Sequence, residues 1–155
     1  MSDRFHPLSM EQLVDWAFIE LERRGSIFGV PHRSVFRPRP EQPFRRRDYG
    51  LELETPWGVA AGPQTQMAQN IVAAWLAGAR LIELKTIQTL DELEVNKPCI
   101  DVTDEGYNVE WSQELAVEDS LREYAKARLL VAILDELAGI PGSERDVVFD
   151  VSVGY

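Results

Sequence analysis

Residues Thr55 to Thr86, TPWGVAAGPQTQMAQNIVAAWLAGARLIELKT, decide the fold. A short apolar run, Trp57 to Ala61, ends at Gly62-Pro63. A helix-like segment follows from about Gln66 to Ala77, with Met67, Ile71, Val72 and Trp75 as its apolar stripe, and stops at Gly78. A second strand then runs from Arg80 to Ile87. Two strands joined through one helix pair in parallel, and parallel strands are normally covered on both faces. Lys85 therefore stands where an apolar side chain is expected. Its plain reading is a lysine that snorkels from a strand end or pairs with Glu83; its functional reading is a cation aimed at a ligand.

Upstream, Ser9-Met10-Glu11-Gln12 fits a capping box. Leu13, Val14, Ala17, Phe18 and Leu21 recur at helical spacing until Arg23-Arg24-Gly25. Residues 25–48 hold Pro31, Pro38, Pro40 and Pro43 among six arginines and read as an extended connector. The run Arg45-Arg46-Arg47 is expected to be a solvated loop, or one docked on an acidic surface, rather than a phosphate site. Tyr49 to Glu54 reads as a short half-exposed strand.

Downstream, residues 88–106 lack a helical period; short strands are expected around Pro98 to Val102, with a turn at Asp104-Glu105-Gly106. Tyr107 to Trp111 reads as a third core strand. Ser112 is expected to cap a long helix reaching about Ala138, and Val147 to Val153 to form a fourth strand. That strand runs almost to Tyr155, so the chain reads as one cut mid-fold. The order of elements is that of an α/β protein.

Side chains alternate faces along a strand. Ile82, Leu84 and Thr86 are thus expected opposite Glu83 and Lys85. Tyr107, Val109 and Trp111 oppose Asn108 and Glu110, and Val147, Phe149, Val151 and Val153 oppose Asp150 and Ser152. Each strand presents one greasy and one polar face. In an α/β barrel the polar face looks inward, and polar groups at the C-terminal strand ends carry the chemistry. Ala60-Ala61-Gly62 puts small residues where backbone can approach a flat ligand.

The chain has 155 residues, 45% of them apolar, and a formal charge of −10. That balance argues against nucleic acid or an anionic membrane as the main partner. A single cysteine, Cys99, excludes an intrachain disulfide and reads as a small buried hydrophobe. The N-terminus lacks the pattern of a signal peptide, and the longest apolar run, residues 129–134, is too short to span a bilayer. A soluble cytoplasmic protein is expected, with no metal site.

Several of these segments carry a resemblance. SIFG (26–29), TPWGVAAGP (55–63), ELKT (83–86), KPCID (97–101) and YNVEW (107–111) resemble the FMN-binding barrels of the dihydroorotate and dihydropyrimidine dehydrogenases, and more narrowly the selenate reductase flavoprotein subunits of bacteria. The resemblance implies the N-terminal half, about four strands, of an FMN-binding TIM-type (β/α)8 barrel. Residues 1–48 would be a helix and connector, and residues 49–155 the partial barrel.

The resemblance also implies roles. Ala60, Ala61 and Gly62 form the small-residue turn under the flavin. Lys85 and Thr86 contact FMN, with the ammonium near the N1/O2 edge of the ring, where a cation tunes its potential. Asn108 contacts substrate and Glu110 lies beside it. Hydride would pass from the flavin to an unsaturated or oxidised small substrate, and the acid/base loop is expected beyond Tyr155. FAD, iron–sulfur clusters and electron-transfer domains are expected only in other parts of full-length relatives, since one cysteine cannot hold a cluster. Four strands do not close an eight-stranded barrel. The chain by itself is therefore expected to be inactive and to bind FMN weakly or not at all. The competing reading is a non-catalytic scaffold that docks electron-transfer partners.

Overall fold

The structure, a computed structural model, describes residues 5–39, 41, 43–89, 100–101, 107–108, 114–140 and 147–154, with backbone alone at 100–101 and 107–108. Helix α1 (Met10–Arg24) starts as its sequence predicts. Ser9 Oγ accepts the Gln12 N–H at 3.1 Å, and Gln12 Oε1 accepts the Ser9 N–H at 2.9 Å. Gly25 ends the helix with φ 64°.

Strands β1 (Ser26–Ile27) and β2 (Val30–Pro31) then form a small antiparallel hairpin over α1. Glu20 fastens it, its Oε1 accepting from Ser26 Oγ at 2.6 Å and from the Gly29 N–H at 2.9 Å. Burial pushes the Glu20 carboxyl up, but hydrogen bonds from Ser26, Gly29, Trp16 and Phe28 together outweigh it and hold the carboxyl below its ordinary value. A depressed carboxyl stabilises the fold above its unfolded pKa, and that stability is lost as pH falls through the lower folded value. Glu20→Gln is therefore expected to cost about 1 kcal/mol at neutral pH. Thermal melts should show the gap between variant and parent closing below about pH 4.

The connector is less open than its prolines suggest. Strands β3 (Arg46–Asp48) and β4 (Leu51–Leu53) pair antiparallel through the two-residue turn Tyr49-Gly50, with φ 50° and 76°. Both central residues have positive φ, as a type I′ turn requires. Arg46 and Arg47 thus lie in an exposed strand, not the solvated loop expected for them. The loop reading failed because the turn signal, Tyr-Gly, is a weak one for this hairpin.

A three-stranded parallel sheet follows, ordered β5 (Gly58–Val59), β6 (Leu81–Gln88) and β9 (Val148–Gly154). Between β5 and β6 lie a 3-10 turn (Pro63–Gln66) and α2 (Ala68–Leu76), so the helix starts two residues later than its periodicity implies. Its stripe is buried as expected: Met67, Ile71, Val72 and Trp75. The helix closes with a Schellman motif. Gly78, at φ 104°, donates to the Trp75 carbonyl, and Ala79 to that of Ala74. At Gly58 the backbone of β5 lies so close to β6 that a Cβ would fall 1.8 Å from the Leu81 carbonyl oxygen. Only glycine fits there.

Between β6 and β9 the chain forms an antiparallel ribbon, β7 (Ile100–Asp101) with β8 (Tyr107–Asn108), and then α3 (Val117–Leu137). This corrects the expected strand count. Tyr107-Asn108 pairs with Ile100-Asp101 rather than joining the parallel sheet, and β6 pairs directly with β9. The last strand is therefore third among the described parallel strands, not fourth. Period-2 alternation alone does not distinguish a ribbon strand from a core strand, which accounts for the error. Helix α3 begins at Val117 after Ala116, with no side-chain cap; the proposed cap at Ser112 lies outside the described residues.

Helices α2 and α3 cover one face of the sheet. Ile82, Leu84 and Ile87 of β6 join Ile71, Val72 and Trp75 of α2 and Ala127, Leu130, Val131 and Leu134 of α3 in one core, which also takes in Leu13, Ala17 and Ile27. Glu83, Asp150 and Ser152 are exposed, Glu83 and Asp150 directly opposite each other in register. Val147 is buried and Phe149 packs against the core, but Val151 and Val153, expected to meet outer helices, are exposed. They lie on β9, the outer strand of the sheet among the described residues. No helix among the described residues is long and apolar enough to cross a membrane.

Candidate functional site

The C-terminal ends of β5 and β6 bring most of the predicted site together. Beyond β5, Ala60 is exposed, Ala61 half-buried and Gly62 buried. Three side chains fasten this turn. Glu83 Oε2 accepts the Ala61 N–H at 3.2 Å from the neighbouring strand. The buried Thr65 hydroxyl accepts the Gly62 N–H at 3.1 Å. Gln64 Nε2 donates to the Ala60 carbonyl at 3.3 Å. The small side chains of Ala60 and Ala61 keep that part of the turn low, and the Gln64 side chain lies against Gly62, where a Cβ would fall 2.4 Å from its Oε1.

Beside the turn, β6 departs from regular alternation. Leu84 pairs with Val151 and Ile87 with Val153, so Lys85 and Thr86 together oppose one residue of β9. This is a β-bulge, a feature common next to active sites because it re-aims a side chain. The bulge returns Ile87 to the helix-covered face that Leu84 occupies. Strict alternation would have placed Ile87 with Glu83 and Lys85. The expected face assignment therefore holds for residues 82–84 and breaks at Lys85-Thr86.

Lys85 is only 5% exposed, and Thr86 is half-buried. Desolvating an ammonium is expensive, so a lysine is kept in such a position only where anionic or carbonyl groups compensate it. From α3, the Tyr124 hydroxyl donates to the Lys85 carbonyl at 2.7 Å. Burial pushes the Tyr124 phenol up, so it remains a protonated donor across the working pH range. Sequence reading passed over Tyr124 as part of a long helix. The out-of-phase pair Leu84 and Ile87, three apart in a strand, was the available signal of the bulge it serves.

The two other predicted residues follow β6 in the chain. The backbone of Asn108 pairs with Ile100 in the β7–β8 ribbon, within the segment that connects the C-terminal end of β6 to α3. Glu110 lies outside the described residues, as does Cys99. Among the described residues, no group of three or more His, Cys, Asp or Glu side chains could hold a metal ion.

The opposite end of β6 is a structural knot that sequence reading missed. Arg80 is 1% exposed, and its Nε donates to Glu54 Oε2 at 2.5 Å. Its Nη1 donates to the carbonyls of Trp75 at 3.1 Å and Ala79 at 3.0 Å. The guanidinium also lies 5.2 Å from the centre of the Phe36 ring and 5.9 Å from that of Trp75. Thr55 Oγ1 adds a 2.6 Å bond to the Gly78 carbonyl. Rigid packing at this end frees the other end for polar groups, the division of labour found in α/β barrels.

Comparison with known proteins fits this division. Residues 28–155 match the family model described as "Oxidoreductase YgfK, N-terminal TIM-barrel domain". The chain belongs to the YgfK N-terminal TIM-barrel family. It is 42% identical, over all 155 residues, to the YgfK proteins of Escherichia coli strain K12 and of Escherichia coli O157:H7, both named as oxidoreductases. The chain spans 15% of the length of those relatives. No solved structure is significantly similar to it. Membership in the YgfK family explains why helices cover only one face of the parallel sheet among the described residues: in a barrel the other face turns inward.

Proposed function

We propose that this chain is the N-terminal part of an FMN-binding barrel in a flavin-dependent oxidoreductase. The observation that carries the reading is Lys85: a lysine 5% exposed, held at a β-bulge at the C-terminal end of the central strand, whose neighbour β5 leads into the small-residue turn Ala60–Gly62. The residues present fit such a group. A flat ring needs a low backbone surface, which Ala60 and Ala61 supply, and a buried cation suits an edge that gathers negative charge.

In this reading Lys85 binds the electron-rich edge of the ring and Thr86 adds a hydroxyl beside it. Glu83 and Thr65 hold the turn that carries the ring's flat side. Asn108 and Glu110, in the segment after β6, orient a small unsaturated or oxidised substrate; which heterocycle or oxyanion that is follows from residues beyond these. Bound FMN supplies hydride transfer. The proton donor, the cofactor phosphate site, and any FAD or iron–sulfur centre belong to other parts of the longer protein, which would pass electrons to or from this barrel.

The test is to express a protein of the length of the Escherichia coli relatives that carries this chain, record its visible spectrum and identify released cofactor by chromatography. Copurifying FMN, or saturable FMN binding by the apoprotein, is the expected result. A full-length protein that contains no flavin and does not bind added FMN would overturn the reading.

A further inference from the structure

A bulge removes one residue from the regular ladder, and the groups it frees must find partners elsewhere. Here the partner comes from outside the sheet. Tyr124 reaches from α3 and donates its hydroxyl to the carbonyl of Lys85, the first residue of the bulge, at 2.7 Å. The helix presenting it is itself immobilised, because Ala127, Leu130, Val131 and Leu134 are buried in the core. On the far side of the bulge Ile87 is 3% exposed in that core. The bulge is thus pinned at two points, one apolar and one polar. Phenylalanine would fill the space of the Tyr124 ring equally well. The hydroxyl must offset its own desolvation, and it does so at one carbonyl.

We propose that Tyr124 is the positioning residue of the Lys85 ammonium. By holding the bulge carbonyl it fixes where the lysine side chain leaves the strand and enters the site. The inference rests on the reading of Lys85 as a flavin contact. It adds a residue on a helix outside the sheet, remote in sequence from the Lys-Thr pair, that acts on the cofactor only through the backbone of β6.

The test is a double-mutant cycle in the full-length protein, with FMN as the titrant of the apoprotein. Tyr124→Phe is expected to weaken FMN binding about tenfold, the equivalent of one hydrogen bond's free energy. In a Lys85→Met background the same change should have almost no further effect, because the group it positions is gone. Amide hydrogen exchange at Thr86 and Ile87 should also quicken in Tyr124→Phe. Ile71→Val, a core change of comparable cost to stability, serves as the control and should leave both FMN affinity and this exchange unchanged. If Tyr124→Phe weakens FMN equally in both backgrounds, or not at all while Lys85→Met weakens it, the positioning role is wrong and the flavin reading stands. If Lys85→Met leaves FMN binding intact, the flavin contact itself fails and the inference fails with it.

Discussion

Arg80→Ala is expected to lower the unfolding free energy by about 3–5 kcal/mol, the usual cost of stripping one partner from a buried ion pair. The loss has several parts. Glu54, 3% exposed, would be left as an uncompensated buried carboxylate. The carbonyls of Trp75 and Ala79 would lose their guanidinium donor, and the rings of Phe36 and Trp75 would face a void. Replacing both partners tells a different story. Arg80→Met with Glu54→Leu removes the charges together, and well-packed apolar pairs often match or exceed the pair they replace. The double variant is therefore expected to recover most of the loss. Urea denaturation of parent, single and double variants measures the difference directly. A single variant within 1 kcal/mol of the parent, below about a third of the expected cost, would show the pair to be superficial.

Lys85→Met is expected to weaken FMN binding by the full-length protein about ten- to hundredfold, the range for a hydrogen bond to a charged group. Any flavin that still binds should have a more negative midpoint potential, because a cation beside the ring favours its electron-rich form. Stability should fall as well, because the groups that offset the buried ammonium would lose their partner. Methionine has nearly the length of lysine, so at a site 5% exposed the loss comes from the missing partner of those groups and not from a cavity. Fluorescence titration with FMN and a thermal melt of the same sample separate the two effects. A variant that melts lower and binds FMN as the parent does would recast Lys85 as a structural residue.

The sequence made the central βαβ unit legible because its signals are local. The stripe Met67, Ile71, Val72 and Trp75 has helical spacing, Gly78 supplies the left-handed stop, and Ser9 with Gln12 forms a capping box that the structure reproduces. The strand that holds Lys85, and the strand that leads into the Ala60–Gly62 turn, are likewise legible. What stayed hidden depends on contacts between distant segments. Nothing in Glu54 or Arg80 alone announces that the two are buried together across 26 positions. The Lys85–Tyr124 bond spans 39 positions, and a tyrosine on a helix carries no mark of its partner. The bulge defeated strict alternation because one extra residue reverses the phase of everything after it. The ribbon at Tyr107-Asn108 was mistaken for a core strand because pairing partners, unlike periodicity, are not written locally.

The facing pair Glu83 and Asp150 has a practical consequence. Like charges directly across two strands oppose sheet formation by a few tenths of a kcal/mol, and this pair lies on the exposed side of a chain already carrying ten excess negative charges. Dissolved electrolyte damps such repulsion at distances beyond about 8–10 Å and weakens it nearer in. This fold should therefore be handled in moderately saline buffers, and dilution into pure water should loosen first the pairing of β6 with β9, where the two residues stand opposite each other.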